Sequence, residues 1–306
     1  DIKKKYNYKR PNYDIEAVVG EYDDPMNQSQ EIYTVSLSNS GNTVIYGAAG
    51  SGKTTFLNSL IYSLISTYTP EELNVYILDF ASETMTAFAK APHIGDVVLS
   101  HEQEKVTNLI KLLLGQIQTR KKLFSDYGGD IISYNKNSAE KVPAIVVAIN
   151  NYAAFSEMYE DFESEMLNLT REGTKYGIYF VLTGTNTNAV RFRMQQNIGQ
   201  SIVLQMTDES DYSAILGKTE GIVPSKFKGR GLCKLEEIHE FQTAYAFEPD
   251  NQFAQIKKYC EELCNTTSIK ARSIPVLPEN VNVDFIEQYV TKGLLSIPIG
   301  VETASL

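Results

Sequence analysis

The sequence predicts an α/β fold built on an open, mostly parallel sheet with helices on its faces. Near-continuous runs of Val, Ile and Leu are typical of parallel strands that are buried on both faces. Helical patterns separate these runs, and such alternation favours right-handed crossovers. The predicted core strands cover residues 43–47, 74–80, 144–150, 177–184 and 201–206. The predicted helices between them cover residues 53–67, 102–126 and 155–172.

We expect the core to occupy residues 32–249 and to end in a β-hairpin. The segments GRGLCKL (229–235) and HEFQTAYAF (239–247) are separated by two glutamates and an isoleucine. Two short strand-like segments joined in this way are typical of a hairpin.

The two flanking segments differ from the core in composition. Residues 1–31 are polar and rich in Tyr and Lys, and we expect them to pack on the core with one short strand over 16–20. Residues 250–306 are expected to hold a helix over 250–266, followed by a Pro-punctuated linker.

Composition places the chain among ordinary globular proteins. Its 306 residues are 42% hydrophobic and 22% charged, and no apolar run approaches the roughly 18 residues of a membrane span. No signal peptide is recognised at the start, so we expect a soluble segment whose parent chain could still carry spans elsewhere. The net charge of −10 argues against a nucleic-acid partner. The basic cluster at 120–122 is expected to be a solvated helix face.

The segment GAAGSGKT carries the most specific motif. Its spacing is that of a phosphate-binding loop, with a β-branched strand before it and a helical pattern after it. The glycines let the backbone N–H groups approach phosphates, and the helix N-terminus adds its dipole. We expect Lys53 to contact the β- and γ-phosphates and Thr54 to ligate Mg²⁺. The predicted nucleotide-binding residues are Gly47, Ala48, Ala49, Gly50, Ser51, Gly52, Lys53, Thr54 and Thr55.

The strand AIVVAINN ends where a phosphate-loop protein would carry an acidic pair. The acids normally hold the Mg²⁺ water shell and polarise the attacking water, but here the positions are Asn150 and Asn151. An amide brings no charge and cannot act as a general base. We therefore expect ATP to bind and hydrolysis to be weak or absent. Two carboxylates could substitute: Asp79, about 14 Å away in the expected strand order, and Glu157, which is expected to begin a helix.

Several further segments resemble FtsK/SpoIIIE-type ATPases, and among them the tandem ATPase domains of the type VII secretion membrane proteins of the EssC/YukB/EccC family. The resemblance spans roughly residues 18–248 and implies a RecA/FtsK-like P-loop ATPase core, with ATP and Mg²⁺ as cofactors. The segments are YDDPMNQSQ, LDFASETMTAFAKAPHIGDVV, QIQTRKKLFSDYGGDIISYN, LTREGTKYGIYFVLTGTNTNAVR and DESDYSAILG with KGRGL.

The end of the chain, LLSIPIGVETASL (294–306), resembles the opening of another such domain. The chain therefore resembles an internal domain of a longer protein, and the middle of the tandem ATPase domains fits best. Asn150 departs from the family pattern, since close relatives tend to keep Asp there. This departure bears on hydrolysis and not on nucleotide binding.

The resemblance also implies contacts to the nucleotide from outside the loop. These ATPases work as rings, so Arg171 could reach a neighbour's nucleotide as an arginine finger. The alternative is a surface arginine that pairs with Glu172 or Glu165. Thr183 and Thr185 end the strand expected between the loop strand and the strand of the asparagine pair, where a polar group can sense the γ-phosphate.

The function that the resemblance implies is export of small helical-hairpin proteins by a secretion coupling protein, with a link to virulence. The chain would be a cytoplasmic domain of a cell-membrane protein, with neighbouring ATPase domains of the same chain and of other subunits as partners. Contact with the membrane would come only through the parent chain. One alternative is a segment of an FtsK-like DNA translocase, which the net charge disfavours. Another is a nucleotide-gated structural scaffold with a vestigial loop, which the complete GAAGSGKT disfavours.

Overall fold

The computed structural model describes residues 2–277, so the expected opening of a further domain at 294–306 lies outside the described residues. The strands are β1 Glu16–Asp24, β2 Ser29–Ser36, β3 Asn42–Tyr46, β4 Leu73–Asp79, β5 Ile94–Leu99, β6 Ala144–Asn150, β7 Ile178–Gly184, β8 Ile198–Leu204, β9 Arg230–Lys234 and β10 Ile238–Thr243. The α-helices are α1 Ile2–Lys5, α2 Leu37–Ser40, α3 Lys53–Thr67, α4 Gln103–Leu123, α5 Ile131–Asn137, α6 Tyr152–Met158, α7 Glu163–Glu172, α8 Phe192–Gln195, α9 Ser210–Leu216 and α10 Gln252–Cys264.

Ten strands of the described region form one sheet, in the order β2-β1-β10-β9-β8-β3-β7-β6-β4-β5. The six strands from β8 to β5 pair in parallel. The four remaining strands pair antiparallel and continue the sheet beyond β8. The prediction of an α/β fold with an open, mostly parallel sheet flanked by helices is confirmed.

The five predicted core strands form as β3, β4, β6, β7 and β8, with ends within three residues of the prediction. Every residue of β3, β6 and β7 is buried, which is why these runs are apolar throughout. Strands β2 and β5 were not predicted. In β5 the pair Gly95-Asp96 interrupts the apolar run, and in β2 only alternate residues near the end are buried.

The predicted hairpin forms as β9 and β10, and it lies inside the sheet between β8 and β1. The N-terminal segment is more ordered than the single short strand expected over 16–20. Strand β1 runs on to Asp24 and pairs with β2, and the expected boundary between residues 31 and 32 falls inside β2. The N-terminal segment therefore belongs to the same sheet as the core.

The helix over 53–67 forms as predicted, whereas the helix predicted over 155–172 is two helices, α6 and α7. A 3₁₀ turn, Glu160–Phe162, separates them. The break lets three aromatic rings stack on one another, with ring centroids 5.5 Å apart for Phe155 and Tyr159 and 6.2 Å apart for Tyr159 and Phe162. Within residues 2–277 no helix is both long enough and apolar enough to cross a bilayer.

The expectation of a fully solvated basic cluster at 120–122 is wrong for its first residue. Arg120 is only 2% exposed, and its guanidinium donates to the carbonyls of Tyr176 (2.7 Å) and Pro143 (2.8 Å). Burial lowers the pKa of Arg120 to about 10. Arg120 follows Ile117 by three positions and therefore shares its buried helix face, whereas Lys121 and Lys122 are exposed.

Candidate nucleotide-binding site

The GAAGSGKT loop joins β3 to α3 at the carboxyl end of the parallel strands. The backbone N–H of Gly47 donates to the carbonyl of Gly184 at the end of β7 (3.0 Å). The N–H of Ala48 donates to the carbonyl of Gln205 just beyond β8 (2.8 Å). These bonds fix the loop between the two neighbours of β3, at the edge where open α/β sheets bind ligands.

The loop leaves polar backbone groups free for a ligand. Gly50 and Gly52 have φ angles of +79° and +107°, which favour glycine. A side chain at Gly50 would meet no atom within 4 Å, so the backbone there is open. In the part of the chain that the structure describes, the N–H groups of Ala49, Gly50 and Gly52 and the buried Ser51 hydroxyl have no hydrogen-bond partner. Free donors at the N-terminus of a long helix fit a phosphate group.

Lys53 begins α3, and its ammonium group lies against the loop, where a phosphate would bind. Its ammonium group donates to the carbonyls of Gly47 and Ala48, the latter at 2.9 Å. Partial burial lowers the pKa of Lys53. A bound phosphate would favour the charged ammonium, because an opposite charge nearby offsets the cost of burial.

The residues present fit Mg²⁺ as a companion of the nucleotide and not as an independently held ion. Between residues 2 and 277 no three His, Cys, Asp or Glu side chains are grouped as metal ligands would be. Mg²⁺ keeps several waters and takes one or two protein ligands together with phosphate oxygens. The Thr54 hydroxyl, in the first turn of α3, is the ligand that this chain offers. A bound Mg²⁺ would neutralise charge on the phosphates.

Asn150 ends β6, two strands from the loop strand, as the sequence predicted. Its side chain is 2% exposed and is engaged on both sides. The amide nitrogen donates to the Asp79 carboxylate on β4 (3.0 Å), and the Thr183 hydroxyl on β7 donates to the amide oxygen (3.0 Å). The side chain therefore lies along the sheet edge and bridges its two neighbouring strands.

Asn151 turns the chain from β6 into α6. Its φ and ψ angles of 68° and 70° are left-handed, and its side-chain oxygen caps α6 by accepting from the Ala154 N–H (3.4 Å). The side-chain nitrogen donates to the carbonyl of Phe80 (3.3 Å), and the backbone N–H donates to the Thr183 hydroxyl (2.8 Å). Thr185, the other predicted contact, is exposed one residue beyond β7.

Neither alternative carboxylate lies where it could replace the missing acid. Asp79 is three strands from β3, about 14 Å at the usual strand spacing. Its carboxylate is 1% exposed and accepts from the N–H groups of Ala81 and Met85 (both 3.1 Å) as well as from Asn150. Glu157 does not begin a helix as expected. It is the second-last residue of α6, about 9 Å along the helix from Asn151 at 1.5 Å per residue.

Arg171 lies near the amino ends of β3 and β7, whereas the phosphate loop of this chain lies at the carboxyl ends of the parallel strands. It is in the last turn of α7, which leads to the start of β7, and it lines the same open cavity as Asn42 at the start of β3. Its side chain is exposed and pairs with Glu172 (3.1 Å). Arg171 can therefore reach only a nucleotide that another domain holds.

One neighbour of the loop was not predicted. The N–H of Gly229, just before β9, donates to the carbonyl of Ser51 (3.1 Å). Gly229 has a φ of +81°, and its carbonyl accepts from the Thr243 N–H (2.9 Å). In the sequence, KGRGL served only the resemblance and the predicted hairpin. Its contact with the phosphate loop could not be predicted, because contacts between distant residues cannot be deduced from spacing.

Comparison with known proteins agrees with this geometry. The model of the FtsK/SpoIIIE family matches residues 9–220. The ESX secretion system protein YukB of Bacillus subtilis is 32% identical over 294 residues, which cover 92% of this chain and 20% of YukB. The type VII secretion system protein EssC of Staphylococcus aureus (strain MRSA252) is 26% identical over 94% of this chain and 20% of EssC. The chain thus spans about a fifth of the length of these relatives.

Solved structures of secretion ATPases share the fold. ATPases 2 and 3 of EssC from Geobacillus thermodenitrificans superpose with a TM-score of 0.83 and 29% identity, over 92% of this chain and 56% of that one. ATPases 2 and 3 of EccC from Thermomonospora curvata, in complex with a signal sequence peptide, superpose with a TM-score of 0.79 and 24% identity, over 88% of this chain and 50% of that one. The chain belongs to the FtsK/SpoIIIE family, and its relatives are type VII secretion ATPases of the EssC/YukB/EccC group.

Proposed function

We propose that this chain binds ATP with Mg²⁺ and hydrolyses it negligibly on its own. The observation that carries this proposal is the pairing of an open phosphate loop with a fully engaged Asn150. The loop offers free N–H groups and Lys53 to hold phosphates, and Thr54 to ligate Mg²⁺. The position that would normally present a carboxylate to the metal presents a buried amide bonded to Asp79 and Thr183.

Nucleotide binding and turnover depend on different groups of the chain. Capture of a nucleotide depends on the loop, where charge-assisted hydrogen bonds are about 1.5–3 kcal/mol each. Turnover needs a group that positions water and stabilises developing charge. Asn150 and Asn151 are neutral and use their side chains within the protein, so neither can accept a proton from water.

Calorimetric titration with ATP and Mg²⁺ tests the binding half of the proposal. Lys53→Ala should weaken affinity roughly ten- to hundredfold, because it removes the charge-assisted contact. Lys121→Ala, which truncates an exposed lysine in the last turn of α4, is the matched control and should leave the affinity close to that of the wild type. Equal affinity in wild type and Lys53→Ala would show that the loop does not bind the nucleotide.

We further propose that the chain is a cytoplasmic domain of a membrane-anchored secretion protein that exports small helical-hairpin proteins. YukB and EssC support this proposal as relatives over nearly the whole chain, and EccC was solved with a signal sequence peptide. The division into an entry segment over 1–31, a core over 32–249 and a C-terminal helix and linker towards a further ATPase domain over 250–306 is proposed with one change, since β2 crosses the boundary between residues 31 and 32. Lys53→Ala in the parent protein should reduce secreted substrate in the culture medium, and unchanged export would contradict a role in transport.

The alternative of a DNA translocase finds no support in this chain. Its net charge is −10, whereas duplex binding depends on clustered cations that displace counterions. Electrophoretic mobility of random duplex DNA should be unchanged by the chain at physiological salt, with or without ATP. A retarded band that weakens with rising salt would favour the translocase.

A further inference from the structure

The turn that precedes β9 lies directly against the phosphate loop. Besides the bond from Gly229 to Ser51, the Lys228 side chain passes close to the last loop glycine, since its Cγ lies 3.9 Å from where a Cβ at Gly52 would be. A second hydrogen bond holds the start of this turn, because the Gln205 side chain just beyond β8 donates to the carbonyl of Ser225 (2.6 Å). The 225–229 turn therefore forms a wall, held by hydrogen bonds, on one side of the loop.

This wall presents an aromatic ring to solvent. Phe227 is 66% exposed, and the Arg230 guanidinium lies 5.8 Å from its ring centroid. Arg230 is itself held by the side chain of Gln242 (2.9 Å) and by ion pairs to Glu240 (3.6 Å) and Asp23 (3.8 Å). An anchored cation thus packs against the ring, and the exposed area leaves it able to stack on a planar ligand.

Positive charge accompanies the ring. Lys226 and Lys228 are both exposed, and neither forms an ion pair with any residue between 2 and 277. In a chain with a net charge of −10, carboxylates to pair with them are plentiful. Free cations beside free backbone N–H groups favour an anionic ligand at this spot.

The strand order gives the direction in which a bound nucleotide would extend. The reacting end would face β7 and β6, where Thr185 and Asn150 lie, so the nucleoside end points to the other side of β3, over β8 and β9. We infer that the 225–229 turn holds this nucleoside end, with Phe227 stacking on the base and Lys228 binding the α-phosphate. The inference rests on the proposed nucleotide binding and assigns the half of the site that the loop does not supply.

Ligands with and without a base test this inference in the intact chain. ATP, ADP and inorganic tripolyphosphate are titrated, each with Mg²⁺. Phe227→Ala should lower the affinity for ATP and ADP about fivefold or more and leave the affinity for tripolyphosphate unchanged. Lys228→Ala should weaken ATP and ADP about two- to fivefold. Phe253→Ala, which truncates another exposed phenylalanine on α10, is the matched control and should change nothing.

Fluorescence adds a direct readout, because the chain has no tryptophan. A Phe227→Trp variant should change its emission on addition of ATP or ADP and stay unchanged with tripolyphosphate, whereas Phe253→Trp should respond to none of the three. The inference is overturned if ATP leaves the Phe227→Trp emission unchanged and Phe227→Ala binds ATP as tightly as wild type, while Lys53→Ala still weakens binding. If the wild type binds none of the three ligands, the proposed nucleotide binding falls and this inference falls with it.

Discussion

The side-chain amide of Asn150 donates a 3.0 Å hydrogen bond to the buried carboxylate of Asp79 on the next strand. Its oxygen accepts a second bond of 3.0 Å from the Thr183 hydroxyl. The position uses both capacities of an amide, a donor and an acceptor. A carboxylate has no donor when ionised, so the same position could not satisfy Asp79.

Asn150→Asp should therefore destabilise the protein at neutral pH. Two carboxylates about 3 Å apart cannot both ionise when buried, so one of the two pKa values of the pair rises above the unfolded value near 4. A raised folded-state pKa leaves stability intact below about pH 4 and removes it as the pH rises through the raised pKa. Melting temperature measured from pH 4 to 8 should fall progressively below that of wild type.

The exchange variant Asp79→Asn with Asn150→Asp is the control for that experiment. It restores one amide and one carboxylate with their strands swapped, and should recover much of the lost melting temperature at pH 7. A single Asn150→Asp variant as stable as wild type at pH 7 would show that the two side chains do not interact as described.

Arg120→Met should destabilise the chain by about 2–4 kcal/mol, because it leaves the buried carbonyls of Tyr176 and Pro143 without donors. Urea unfolding of wild type and variant measures the difference. Lys121→Met, on the exposed side of the same helix, should stay within about 0.5 kcal/mol of wild type. Comparable losses from the two substitutions would refute the structural role of Arg120.

His93 should make the fold sensitive to acid. It is 1% exposed, its Nε2 lies 2.8 Å from the carbonyl of Tyr68, and burial lowers its pKa. At a pH below about 6.5 the unfolded chain protonates this imidazole, whereas the folded chain keeps it neutral. The stability that the neutral imidazole contributes is therefore present above about pH 6.5 and is lost as the pH falls below it.

His93→Gln, which keeps a donor for the Tyr68 carbonyl, should lose less melting temperature than wild type between pH 7 and 5. Identical pH profiles for the two proteins would assign the acid sensitivity to other groups.

Arg171→Ala should leave the nucleotide affinity of the monomer unchanged and weaken nucleotide-dependent assembly with adjacent ATPase domains. Arg171 cannot reach the nucleotide of its own loop, because it lies near the amino ends of the strands and the loop lies at their carboxyl ends. Analytical ultracentrifugation of a multidomain chain with and without ATP measures this effect, with Arg193→Ala as an exposed control. Assembly that ignores the Arg171 change would leave this residue as a surface arginine paired with Glu172.

Much of the fold could be predicted because the parallel strands are buried on both faces, which makes their sequences continuous apolar runs. The positions of the loop strand, of β7 and of the Asn150 strand were all predicted correctly for this reason. Strand β2 was missed because it pairs on one side only and alternates in polarity.

The candidate site was predictable where a local motif defines it and unpredictable where distant residues meet. The loop residues are contiguous, so GAAGSGKT reveals them. The bond between Asn150 and Asp79 spans 71 positions, and the contact of Gly229 with Ser51 joins two ends of the core. The prediction that Glu157 begins a helix was wrong, because Asn151 caps α6 and the helix starts at Tyr152. Glu157 therefore lies near the end of α6.

Release of phosphate from ATP by the unaltered chain is the most direct test of the proposed function. The measurement is phosphate release at saturating ATP and Mg²⁺, with Lys53→Ala assayed in parallel to subtract contaminating activity. The account predicts the same residual rate for both proteins, because Asn150 and Asn151 supply no base and Asp79 is three strands from the loop strand. Clear turnover in the unaltered chain that disappears in Lys53→Ala would contradict it, and would require a carboxylate that reaches the γ-phosphate from elsewhere in the chain.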